Sequence, residues 1–324
     1  MRRGASSPSR RGASSPSPLV GEGRGGGSGG SGKVVPRLPT PTQEGRSLPS
    51  PQGGEKNAIF AANRARGRVA VTLAATPGGT RRTRTAEEGS LRVRFPGACA
   101  DATEAVLVNT AGGIAGGDRF AVDLDLEAGA RLVVTTAAAE KIYRSLGPDA
   151  GFDVTARIAD GAELMWLPQE TILFDRARLR RSVDIALAPA ASLVFAETIV
   201  FGRAAMGESV TAGFLADRWH IRRDGKLIFA DNLHLDGPIS ALLGEAAIAN
   251  GHAAIGTVLL VPGDDAMVAA VRAAPALRGE VGISTWGGIA LARLAAPDGA
   301  ALRHDLVVVL SALGRRALPR LWLN

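Results

Sequence analysis

Three stretches of the chain repeat one pattern at intervals of about 30 residues. A repeat of that length restricts a fold to stacked units that bury their apolar faces against one another. The units begin Ala128-Gly129-Ala130-Arg131-Leu132-Val133-Val134, Asp160-Gly161-Ala162-Glu163-Leu164-Met165-Trp166 and Pro189-Ala190-Ala191-Ser192-Leu193-Val194-Phe195. Each has a tight turn, an alanine, a polar residue, then leucine and two further apolar residues. A polar step follows: Thr135-Thr136, Pro168-Gln169-Glu170 and Glu197-Thr198. Each unit then reaches an aromatic with arginine close behind: Tyr143-Arg144, Phe174 with Arg176, and Phe201 with Arg203. Stacked in register, the polar steps form a column of hydroxyls and carboxylates through an otherwise apolar body. The competing reading is that three Ala/Leu-rich strands share a composition and no architecture.

Strand periodicity extends beyond the repeat. Phe120, Val122, Leu124 and Leu126 alternate with Ala121, Asp123, Asp125 and Glu127, the period-2 signature of a half-buried strand. Leu179, Val183, Ile185 and Leu187 alternate with Arg180, Ser182, Asp184 and Ala186 in the same way. Residues Trp219 to Phe229 read as a hairpin turning at Asp224-Gly225. Asp264 or Asp265 is placed to cap a helix through Met267, Val268 and Val271. Residues 304–316 carry conflicting signals, since Val307–Val309 favours a strand and the Leu/Ala/Arg flanks permit a helix. The expected class is mostly β: stacked, β-helix-like sheets with a few helices, mainly in the C-terminal third.

Charge separates the chain into two parts. The formal net charge of +7 suggests a nucleic-acid or membrane binder. Residues 1–57, however, hold nine Lys/Arg and three Asp/Glu, leaving the remainder near neutral. That tail is almost entirely Ser, Pro, Gly and Arg, and it buries too little apolar surface to offset its chain entropy. It is expected to be a disordered low-complexity tail: dispensable, the product of a misplaced start codon, or a functional arm. Residues 58–324 are expected to form the folded domain. The neutral body and a tail without aromatics argue against nucleic acid as a partner. Apolar runs such as Leu306–Leu310 fall far short of the ~20 residues a membrane span needs. The single cysteine, Cys99, excludes an internal disulfide and fits a reducing compartment, so a cytoplasmic protein is expected.

Catalytic signatures are missing. The four histidines, His220, His234, His252 and His304, are scattered, and a lone cysteine cannot build a thiolate metal site. The glycine motif Gly112-Gly113-Ile114-Ala115-Gly116-Gly117-Asp118 is neither a P-loop nor a dinucleotide fingerprint. It reads as a turn needing positive φ, with Asp118 bonded to nearby backbone amides or free for function.

Several stretches, in order, resemble the urease accessory protein D family (UreD, also called UreH). They are Asn109–Arg119, Thr135-Thr136 leading to Lys141-Ile142-Tyr143-Arg144-Ser145, Trp166–Asp175, Glu197–Glu208 and the closing Leu318-Pro319-Arg320-Leu321-Trp322. Many members carry prolines before the glycines, where this chain has Thr110-Ala111. The resemblance implies a non-enzymatic urease maturation factor, a scaffold that docks on apo-urease with the F-type accessory protein and the nickel-carrying GTPase. It implies no tightly bound cofactor, and Ni²⁺ only in transit.

The residue chemistry suits transit. Tight nickel binding favours imidazole or thiolate, whereas carboxylates and hydroxyls release the ion more readily. Asp118, Glu170, Asp175 and Glu197 are therefore the candidate weak nickel ligands. Thr135, Thr136, Lys141, Tyr143, Arg144, Thr198, Arg203 and Glu208 are the candidate partner or passage residues. In the competing reading the carboxylates pair with Arg144, Arg176 and Arg203, because buried charges are normally paired. An alternative of another class is an enzyme with a dispersed carboxylate site on a β-solenoid-like fold.

Overall fold

The computed structural model describes residues 63–99 and 102–323; the tail, residues 1–57, and the side chain of Cys99 lie outside them. In chain order the first strands are β1 (Arg66–Thr76), β2 (Gly79–Gly89), β3 (Leu91–Arg94), β4 (Ala98–Cys99), β5 (Ala102–Asn109) and β6 (Arg119–Leu126). Next come β7 (Arg131–Thr136), β8 (Glu140–Ile142), β9 (Ala150–Ile158), β10 (Glu163–Trp166), β11 (Thr171–Leu173) and β12 (Arg178–Leu187). The last six are β13 (Ser192–Phe201), β14 (Gly213–Arg223), β15 (Lys226–Gly237), β16 (Ala254–Val261), β17 (Glu280–Trp286) and β18 (Ile289–Ala296). Helices α1 (Ile239–Gly244), α2 (Asp265–Arg272) and α3 (Gly299–Ala312) all fall in the last third. The protein is mostly β.

The chain winds between two sheets. The first has the order β15-β14-β12-β9-β6-β1-β2, and the second β17-β18-β16-β13-β10-β7-β5-β3. Strands β6, β9, β12 and β14 run parallel in the first sheet, and β5, β7, β10 and β13 run parallel in the second. Successive strands of the chain therefore alternate between sheets, which is a solenoid of stacked coils. Antiparallel strands finish the edges, among them the β14–β15 hairpin. That hairpin turns at Asp224 and Gly225, with φ of 49° and 74°, as the Asp-Gly pair predicts.

The repeat is the solenoid. Glu163 pairs with Arg131 on one side and Ser192 on the other, so Leu132, Leu164 and Leu193 stack in a column, as do Val134, Trp166 and Phe195. The turns before each unit lock together through backbone bonds, Gly129 N–H to Asp160 O and Gly161 N–H to Ala190 O. Ala130, Ala162 and Ala191, all buried, form a second column behind these turns.

Inward positions of both sheets form one apolar cluster between them. A second cluster lies between the other face of the second sheet, α2, α3 and Trp322. Asp264 caps α2 by accepting from Met267 N–H. The ambiguous stretch is helical. Asp298 caps α3 by accepting from Ala301 N–H, and Leu302, Leu306, Val309 and Leu310 bury one helical face. Packing of that face outweighs the strand preference of Val307–Val309.

Candidate functional site

The three coils use different lengths of chain to cross their polar steps. Val134, Trp166 and Phe195 are paired, and so are Glu140, Thr171 and Ile199. Between those rungs lie residues 135–139, 167–170 and 196–198. The first two coils must therefore bow out of the ladder where β13 runs straight. A cavity of about 230 Å³ opens there, lined by Asn109, Thr136, Glu140, Gln169, Arg181 and Glu197 among others.

Thr136 braces the bowed segments: its hydroxyl accepts from Gln169 N–H and donates to Ala138 O, both at 2.9 Å. The glycine loop forms another wall. Gly113 sits at φ 148°, where a Cβ would lie 2.4 Å from the Tyr143 ring, and Tyr143 Oη donates to Gly112 O at 2.7 Å. Asp118 is buried beneath this loop, and its two carboxylate oxygens accept from Ala65 N–H (2.9 Å) and Ala115 N–H (2.7 Å).

At the inner end of the cavity lies a buried ion triad. Arg181 on β12 reaches Glu197 of the opposite sheet and Asp217 on neighbouring β14. Trp166 Nε1 donates to Glu197 at 2.8 Å, and Trp219 Nε1 donates to Asp217 at 2.9 Å. All three charged residues are at most 6% exposed, and two carboxylates face one guanidinium. Burial pushes the Glu197 carboxyl up, and Arg181 opposes that shift. Beyond the triad, a second cavity of about 640 Å³ opens among Asp231, Thr257, Glu280 and Arg293.

The expected polar column is divided among three environments. Thr136 and Glu197 face the space between the sheets. Strand alternation places Thr135 and Thr198 on the face covered by helices, where their buried hydroxyls have no partner. Glu170 turns to Arg303 on α3, 3.0 Å away, and that guanidinium also donates to Leu321 O. Of the four carboxylates, Asp118 meets only backbone N–H groups, Asp175 lies beside the expected Arg176, and Glu170 and Glu197 pair with arginines other than those expected. Arg303 and Arg181 hold Glu170 and Glu197, whereas Arg203 binds Glu208 at 2.6 Å and Arg176 lies 3.6 Å from Asp175. Arg144 forms no ion pair among the described residues; its backbone bridges to Ala177. Burial disfavours ionised Asp175, but the Thr211 hydroxyl and two backbone N–H groups hold its carboxyl below the usual range. Among the described residues, no three His, Cys, Asp or Glu side chains come together as a metal-holding group.

The remaining candidates gather at one end of the coils. Tyr143 packs edge-to-face on Phe174 at 5.2 Å, and Arg203 covers the same ring at 4.1 Å. The Arg203–Glu208 pair closes a short loop that holds Met206 at its tip, 72% exposed; Leu146, three residues after Tyr143, is 91% exposed. Lys141 and Arg144 are exposed beside them.

Glu140, Arg181, Asp217 and Arg303 are absent from the sequence-derived set. Two of them carried a signal. Arg181 and Asp217 fall on the inward period of their strands, between Leu179 and Val183 and between Leu215 and Trp219. A charge there must find a partner inside. Glu140 is recognisable only once the coils stack.

A family profile described as "UreD urease accessory protein" matches residues 65–323. The chain belongs to the UreD family. Among named relatives, the urease accessory protein UreD of Rhodopseudomonas palustris (strain HaA2) is 56% identical over 269 residues, covering 83% of this chain and 96% of the relative. UreD 3 of Bradyrhizobium sp. (strain BTAi1) is 54% identical, covering 82% and 96%. Urease maturation is thereby the process in which UreD proteins such as this one act. No described helix of this UreD is long and apolar enough to cross a membrane.

One titration follows from the cavity. Burial pushes the Glu140 carboxyl up to about 7, and the Asn109 amide, at 3.0 Å, opposes the shift. The folded pKa lies above the unfolded one, so the folded chain holds the extra proton between about pH 4.5 and 7, and stability falls as pH rises through that window. Glu140→Gln removes that slope. Its unfolding midpoint should exceed that of the parent at pH 8 and match it at pH 4.5, read by differential scanning calorimetry.

Proposed function

We propose that this protein is a non-catalytic cytoplasmic scaffold that docks on apo-urease with the F-type accessory protein and the nickel-carrying GTPase. In this reading it lets Ni²⁺ pass between its two sheets towards the urease site. One observation carries the passage: the polar steps of stacked coils open a cavity whose largely apolar wall carries oxygen-bearing side chains and two cations, Lys141 and Arg181, with no imidazole or thiolate in its lining. Asn109, Thr136, Glu140 and Glu197 offer an ion hard, exchangeable ligands, which favour movement over storage. Asp118, Glu170 and Asp175 lie outside this lining and serve structure first, Asp118 by fixing the glycine loop that walls the cavity.

Docking falls to the end of the coils. Met206 and Leu146 offer apolar tips, Lys141 and Arg144 offer exposed cations, and the Arg203–Glu208 pair keeps one tip rigid. A partner with apolar pockets rimmed by carboxylates fits that end.

Ala139→Trp fills the cavity from its mouth without removing a side-chain hydrogen bond. Urease activation by the reconstituted complex should drop at least about tenfold, the rate equivalent of ~1.4 kcal/mol, while co-purification with urease persists. Full activation by a variant confirmed to be folded would remove the passage reading and leave the scaffold.

A further inference from the structure

The two cavities share two lining residues, Arg181 and Glu197. The triad is thus a partition between them. Guanidinium keeps its charge under all ordinary conditions, so Arg181 needs a carboxylate wherever it is buried. The first cavity supplies a second one. Glu140 lines the same space and accepts a hydrogen bond from the Asn109 amide, and among the described residues no Lys or Arg forms a salt bridge with it. Arg181 and Glu140 thus face one space of about 230 Å³.

We propose that Arg181 is a two-position gate: held by Glu197 and Asp217 it separates the cavities, and swung onto Glu140 it joins them. This rests on the passage reading above and adds how the passage is controlled. A divalent cation entering either cavity repels the guanidinium and competes for the same carboxylates, so the cargo itself favours the swing. Glu140 gains from it too. Its half-buried carboxyl, held by the Asn109 amide and followed in the chain by Lys141, lines the same cavity as Arg181 and takes on a second cation in the swing. Trp166 and Trp219 keep a hydrogen bond on each vacated carboxylate, which lowers the cost of releasing the guanidinium. Glu140 and Arg181 are positioning residues here, acting on the route rather than on any reaction.

The test is whether Glu140 acts through Arg181. In the full complex with apo-urease and the other accessory proteins, Glu140→Gln should slow activation about tenfold, the weight of one charge-assisted hydrogen bond to a buried acceptor. Arg181→Gln combined with Asp217→Asn keeps the triad's net charge and removes the gate. Adding Glu140→Gln to that background should change nothing further. If that pair fails to fold, Arg181→Gln with Glu197→Gln has the same net charge and replaces it. An equal loss in both backgrounds, or no loss in the parent, overturns the gate. Ala139→Trp separates the two ideas: full activation removes passage itself, whereas a block by Ala139→Trp beside a silent Glu140→Gln removes the gate alone.

Discussion

Arg181→Met will lower the midpoint of thermal unfolding by about 10 °C. The methionine fills much of the same volume, so the loss is electrostatic. Two carboxylates remain, Glu197 and Asp217, each at most 6% exposed and joined only to tryptophan N–H donors. Leaving a buried charge without its partner costs about 3–5 kcal/mol. A domain of this size shifts by roughly 2–4 °C per kcal/mol, which gives the midpoint change stated. The sign of the pH dependence separates this cause from lost packing. Burial already pushes the Glu197 carboxyl up with the guanidinium present, and without it the folded state binds protons more strongly still. Stability then declines as pH rises, so the deficit should be largest at pH 8 and shrink towards pH 5. Calorimetry at the two values decides. A deficit of similar size at both would assign the loss to packing.

The same triad shows what a sequence discloses and what it withholds. Alternation in β12 and β14 is plain in the chain, and it gave strand and facing for Leu179, Val183 and Ile185. It also puts Arg181 among them, an apolar position holding a charge. That exception was a signal the sequence-derived set passed over, and the identity of its partner depended on which strand lies opposite. Glu197 sits sixteen residues away in the other sheet, and nothing local specifies that meeting. The repeat, by contrast, was legible because its units share a register, and Leu132, Leu164 and Leu193 do stack.

The polar steps were found as a set but not resolved into faces. A strand turns successive side chains to opposite sides. Two adjacent polar residues such as Thr135-Thr136 therefore cannot both line one cavity. Glu170 went astray for another reason. Its partner Arg303 lies on α3, in the stretch where the sequence left helix and strand unresolved, so the helix-covered layer could not be anticipated there.

That covering layer yields the other large effect. Trp322 lies at the end of the chain yet is 3% exposed, and its Nε1 donates to Leu167 O at 3.0 Å. Arg303 sits over its ring at 5.0 Å and extends to Glu170 and to Leu321 O. The closing segment thereby clamps residues 167–170, the bowed part of the middle coil whose other side walls the first cavity. Trp322→Ala should cost about 3–5 kcal/mol, as for a large buried aromatic. Trp322→Phe keeps the ring and loses the hydrogen bond, for about 1 kcal/mol. Amide exchange at Leu167 and Gln169–Glu170 should accelerate strongly in the alanine variant and little in the phenylalanine one. Urease activation should follow the same order, because a loosened middle coil no longer holds Thr136 and Gln169 at the cavity. Fast exchange confined to residues 318–323, with the middle coil still protected, would show that the C-terminal segment rests on the coil without shaping it.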